Sequence, residues 1–153
     1  MEMKFSDQEI GKLRLVLKRI SFLEFLKFSE MDALINALEK RQFKAGETII
    51  KQGTKGDTFF IMGLGTVGVY KEKFLTKKKL ATLGPEAFFG EMALIDESPR
   101  NATIIGETPG EVYYLSRASF NEILLKNPWI TQVIQQTAAY RKAQNKTLEA
   151  KQS

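Results

Sequence analysis

The chain has 153 residues, 43% hydrophobic and 27% charged, with a net charge of +5; this suits one globular domain with a sizeable core and leaves little room for a second. It contains no cysteine and no histidine, which excludes a disulfide, a thiolate or imidazole metal site, a cysteine nucleophile and a Ser-His-Asp triad. No apolar run approaches the roughly 20 residues of a membrane helix, and the first residues, MEMKFSDQEI, lack the charged-then-apolar pattern of a secretory signal, so the expected compartment is the cytoplasm and no membrane partner is expected.

The N-terminal flank opens with Ser6 and Glu9 at capping-box spacing, with Phe5 and Ile10 placed as a hydrophobic staple. A helix is expected from there, carrying Ile10, Leu13, Leu17 and Ile20 as its apolar stripe, and a second from a cap at Ser29 to Leu38. Ten of the 11 glycines then fall between Gly46 and Gly110. The runs ETIIKQ, DTFFIM, TVGVYKE, KKLATL, ATIIGE and EVYYLS lie in that stretch, bounded by Gly, Pro or Asp, and predict a small antiparallel barrel or jelly roll. Gly53, Gly56 and Asp57 mark a tight turn, and KFLTKKK reads as a solvated hairpin loop.

Ser116 is placed to cap a helix over RASFNEILLK, and Asn127-Pro128 supplies a cap followed by a proline at the first helical position of a longer helix. On that helix Trp129, Val133, Gln136 and Tyr140 share one side, with Ile130, Ile134 and Ala138 on an adjacent one. The expected organisation is therefore an N-terminal helical segment (1–40), a β region (41–116), C-terminal helices (117–148) and a frayed tail (149–153).

Residues 89–103, FGEMALIDESPRNAT, carry the chemistry. GEMALI reads as a helix of one and a half turns, in which Gly90 permits close backbone approach and the free amides of Glu91, Met92 and Ala93 form an anion site. Arg100, returned by the Ser98-Pro99 turn, offers the same anion a planar, permanently charged fork. Glu91 beside an anion is unfavourable unless it meets a donor, and a ribose 2′-OH is one. Taken alone, the two charges also admit a plain ion pair closing the turn. A ligand with a ribose hydroxyl close to a phosphodiester, as in a 3′,5′-cyclic nucleotide, satisfies both residues.

From about Ser29 to about Leu125, and most sharply over GETIIKQGTKGDTFF and FGEMALIDESPRNAT, the sequence resembles the cyclic nucleotide-binding domain of catabolite activator proteins, cyclic-nucleotide-dependent kinase regulatory subunits and cyclic-nucleotide-gated channels. The second stretch looks like that family's phosphate-binding cassette, with Gly-Glu, Ala-Leu, Pro-Arg and Ala-Thr at family spacing. The resemblance implies a mainly β fold, an eight-stranded antiparallel jelly-roll barrel flanked by N- and C-terminal helices. It assigns Arg100 to the cyclic phosphate, Glu91 to the ribose 2′-OH, and the Gly90 and Ala93 backbones to the sugar-phosphate, with Met92 and Ala102 alongside. Asn101 stands where cAMP-preferring domains often carry Ala or Ser and many cGMP-preferring ones carry Thr; cAMP is the expected ligand and cGMP the alternative. Tyr140 and Trp129 are candidate lid residues over the base.

No enzyme activity, metal or further cofactor is expected. Without a helix-turn-helix or a concentrated basic-aromatic surface, nucleic acid is not an expected partner either. The expected function is a regulatory module whose flanking helices rearrange on ligand binding and are read by a protein effector; the terminal helix also allows a homodimer. A ligand-free interaction or dimerisation scaffold of the same fold is the alternative.

Overall fold

A computed structural model describes residues 4–124, 128–136, 139, 140 and 143. Helix α1 (Asp7–Lys18) starts at the expected capping box: the Ser6 side chain accepts from the Glu9 amide, and the Glu9 carboxylate accepts from the Ser6 amide. Helix α2 (Phe28–Ala37) begins earlier than its sequence cap suggested. Ser29 lies inside the first turn, and Lys27 is the N-cap, its backbone N–H bonded to the Glu30 carboxylate at 2.9 Å.

Eight strands follow: β1 (Glu39–Phe43), β2 (Thr48–Ile50), β3 (Thr58–Leu64), β4 (Val67–Lys73), β5 (Thr76–Leu83), β6 (Phe88–Phe89), β7 (Thr103–Gly106) and β8 (Gly110–Ser116). They form two four-stranded antiparallel sheets, ordered β1-β8-β3-β6 and β2-β7-β4-β5, so the jelly roll is a pair of facing sheets rather than a closed barrel. KFLTKKK is mostly not a loop. Only Phe74 and Leu75 turn, and Thr76 onward pairs with β4, an edge position at which exposed lysines are tolerated.

Strand β3 separates two cores. Phe59 and Ile61 point to the helices and join Leu17, Leu34, Leu115 and Phe120. Phe60 and Met62 point between the sheets and join Phe43, Val67, Phe89 and Val112. That double burial explains why DTFFIM is a continuous apolar run rather than an alternating one.

Helix α3 (Arg117–Leu124) starts as predicted, with the Ser116 hydroxyl accepting from the Ser119 amide at 3.1 Å. Residues 128–136 are also helical. Their Ile130 and Ile134 are buried in the helical core, whereas Trp129 on the adjacent stripe is exposed. The expected cap at Asn127, the stripe position Ala138 and the frayed tail lie outside the described residues.

Glu9 ties α1 to the first sheet. Its carboxylate accepts from the Tyr113 hydroxyl at 2.6 Å and from Lys40 Nζ at 3.0 Å, which lowers its pKa from 4.5 to about 2. Because the folded-state pKa is depressed, the stability Glu9 contributes is complete above the unfolded carboxylate pKa and is lost as the pH falls through the folded one. Glu9→Gln should therefore be less stable than wild type at neutral pH, with the gap closing as the pH is lowered from about 4.5 to about 2. Urea denaturation at stepped pH measures this.

Candidate functional site

Arg100 is held from both ends of its side chain. Its amide donates to the Thr54 carbonyl at 2.8 Å and its carbonyl accepts from the Gly53 amide at 2.9 Å, so the GTKGD turn and the Pro99-Arg100 segment pair as a short ladder. The guanidinium donates through Nη2 to the Thr58 carbonyl at 2.6 Å and through Nη1 to the Gly90 carbonyl at 3.4 Å. Two glycines make the slot it occupies. A Cβ on Gly56 would lie 2.1 Å from Nε, and one on Gly90 would lie 2.7 Å from Nη1, on a backbone that already has a φ of +76°.

The guanidinium is partly desolvated, and burial is the main cause lowering its pKa. Asp57 opposes that effect, Arg117 adds to it, and Glu91 opposes it more weakly. The site thus keeps a positive charge in partial burial, and among the described residues no ion pair neutralises it, which favours an incoming anion.

Glu91 opens a 3₁₀ turn over Glu91–Leu94, shorter and tighter than the predicted helix. The Ala93 amide is not free there, since it donates to the Gly90 carbonyl at 3.1 Å. The helix-end contribution shrinks accordingly and leaves Arg100 as the main anion-attracting group. Among the described residues Glu91 forms no ion pair with Arg100, so the turn-closing pair is not what brings the two residues together.

Both residues line a cavity of about 720 Å³ at the mouth of the space between the sheets. Gly90, Met92, Ala93, Asn101 and Ala102 line it too, so the cassette positions gather around one space. Its walls are apolar, from Ile50, Val69, Leu83, Phe89 and Ile104. One polar end and an apolar wall of this size suit a ligand with an anionic head and a flat, poorly hydrated body. Trp129 and Tyr140 do not line it, and both are exposed at 57% and 64%.

Three contributors lacked a clear sequence signal. Lys71 on β4 lines the cavity and donates to the Asn101 carbonyl at 2.8 Å. Gln52 also lines it, clasping β4 by donating to the Glu72 carbonyl at 2.8 Å and accepting from the Glu72 amide at 2.7 Å. Arg117, the first residue of α3, donates to the carbonyls of Ala93 at 2.7 Å, Gly56 at 3.0 Å and Asp96 at 3.2 Å. It joins the helix start to the cassette and to the GTKGD turn.

The family model described as the cyclic nucleotide-binding domain matches residues 40–127, and the chain belongs to that family. It is 32% identical over 123 residues to a cGMP-dependent protein kinase of Toxoplasma gondii, covering 80% of this chain and 12% of that protein. It is 31% identical over 122 residues to the cAMP-dependent protein kinase type II regulatory subunit of Drosophila melanogaster, covering 80% of this chain and 31% of that one. The chain thus spans less than a third of either relative. A solved structure of cAMP-bound PfPKA-R superimposes with a TM-score of 0.70 at 30% identity, over 78% of this chain and 43% of that one. No helix among the described residues is long and apolar enough to cross a membrane.

Proposed function

We propose that this chain is a cyclic-nucleotide receptor module without catalytic activity, with cAMP as its ligand and cGMP as the alternative that the same pocket chemistry admits. The observation that carries the reading is the Arg100 guanidinium, seated between Gly56 and Gly90 at the polar end of a cavity of about 720 Å³, with no ion-pair partner among the described residues. Arg100 binds the cyclic phosphate. Glu91 accepts from the ribose 2′-OH, and the Gly90, Met92, Ala93 and Ala102 segments close around the sugar-phosphate. The base lies against the apolar wall, near Asn101 and Lys71. The cAMP in the structural neighbour and the two kinds of kinase among the relatives support this assignment.

Ligand binding is proposed to shift the C-terminal helices through Arg117, which touches the cassette and begins α3. A ligand moves such an equilibrium only by its difference in affinity for the two arrangements. The helices then present an altered surface to a protein effector, and Tyr140 or Trp129 reaches the base only in an arrangement other than the one described here. A ligand-free scaffold gives no reason for an unneutralised arginine in a glycine slot.

Calorimetric titration with cAMP, cGMP and 2′-deoxy-cAMP tests the reading. Wild type should bind a 3′,5′-cyclic nucleotide, and Glu91→Gln should weaken it by about ten-fold or more, as expected for losing a hydrogen bond to a charged acceptor. The same substitution should cost little with the 2′-deoxy ligand. No binding of either nucleotide, or equal losses with and without the 2′-OH, would overturn the assignment.

A further inference from the structure

The hairpin of β4 and β5 ends in Phe74 and Leu75, which are 91% and 88% exposed. Three choices at this tip are locally unfavourable. Leu75 has a φ of +64°, in a two-residue turn that ordinarily takes glycine or asparagine there. Two large apolar side chains stand in water. Lys71 sits directly opposite Lys78 in the strand register, a like-charge pair.

The register also sorts the lysines. Because Lys71 pairs with Lys78 and Lys73 with Thr76, Lys71, Lys73 and Lys78 share one face of the hairpin. Lys79 is paired with Glu107, and Lys77 lies over the Tyr70 ring at 5.0 Å. Lys73 and Lys78 have no carboxylate partner among the described residues. A sequence that departs from local rules three times at one exposed tip points to a use outside the fold.

We propose that this tip docks on an anionic membrane surface, with Phe74 and Leu75 entering the interface and Lys73 and Lys78 facing the lipid headgroups. Two side chains are too small a patch for a stable protein–protein interface, which buries on the order of 1,000 Å² or more. Shallow insertion into a bilayer needs no matching surface, and apolar burial and anionic attraction add. The tip projects beyond the cassette end of β4, where Tyr70 pairs with Thr103, and Lys73, Phe74, Leu75 and Lys78 do not line the cavity, so docking and ligand binding use different residues.

Co-sedimentation of the full chain with vesicles tests the proposal. Binding is expected to vesicles of equal parts phosphatidylserine and phosphatidylcholine, to weaken with added salt, and to be absent with phosphatidylcholine alone. The double variant Phe74→Ser/Leu75→Ser should lose about ten-fold or more in apparent affinity. Lys73→Glu/Lys78→Glu should lose a similar factor, and both should keep the circular dichroism spectrum and cyclic-nucleotide affinity of wild type. No binding of wild type to anionic vesicles overturns the proposal, as does binding left unchanged in both variants. A concentration-dependent self-association that the Phe74/Leu75 variant abolishes, without any vesicle binding, would instead assign the tip to a second copy.

Discussion

Arg100→Ala should weaken cyclic-nucleotide binding by about 30-fold or more, since removing one partner of a desolvated charge pair costs about 2–5 kcal/mol. Arg100→Lys should recover only part of that loss. A lysine keeps the charge but cannot hold the Thr58 and Gly90 carbonyls with one fork while presenting another edge to a phosphate. Gly56→Ala separates position from charge. It leaves every ionisable group in place, yet its Cβ would fall 2.1 Å from the guanidinium Nε and so displace it. If Arg100 acts by its placement in the slot, Gly56→Ala should bind nearly as poorly as Arg100→Ala. Calorimetry on the three variants, with melting curves to show that each is folded, reads the result directly. Wild-type affinity in Arg100→Ala would remove the phosphate from this arginine.

Phe59→Ala should lower the unfolding free energy by about 3–5 kcal/mol, the range for emptying a fully buried aromatic site. Phe59 is 0% exposed and sits on β3, which is hydrogen-bonded to β8 on one side and β6 on the other. Its ring meets Phe88 edge-on at 6.2 Å, and the same apolar cluster contains Leu34, Leu115 and Phe120. Collapse around the vacancy would need two strands and several helices to move together, so the lost contacts are not easily regained. Urea titration should show the midpoint moving with an unchanged slope. A loss under about 1 kcal/mol would mean that the helices close over the gap.

Elements that carry their own local instructions were legible in the sequence. Ser6 and Glu9 cap α1 because two side chains three residues apart satisfy each other's backbone donors, and no distant contact is needed. The strong β runs became strands for similar reasons. Strand β1 was not legible, because four of its five residues are exposed and polar and its pairing with β8 is decided 67 to 75 residues away. Strand β6, two residues long, exists only where it meets β3. The cassette followed the same division. Its residue types and spacing announced a site for an acid and an arginine. The Gly56 side of the slot and the carbonyl contacts of Arg117 depend on segments far apart in the chain.

Strand β3 is apolar on both faces, so sliding it by one residue would swap Phe59 for Phe60 and Ile61 for Met62 at nearly equal hydrophobic value. Greasiness, which holds most half-exposed strands in place, is nearly silent here. Two small features break the tie. A side chain at the Gly63 position would put its Cβ 3.1 Å from the Tyr113 ring and 3.3 Å from the Glu111 carbonyl, so neither Met62 nor Leu64 can take that place without displacing them. At the other end, only the present alignment puts the Thr58 carbonyl where the Arg100 fork can reach it. The proposed binding arginine therefore also acts as an alignment pin, keeping the central strand from slipping.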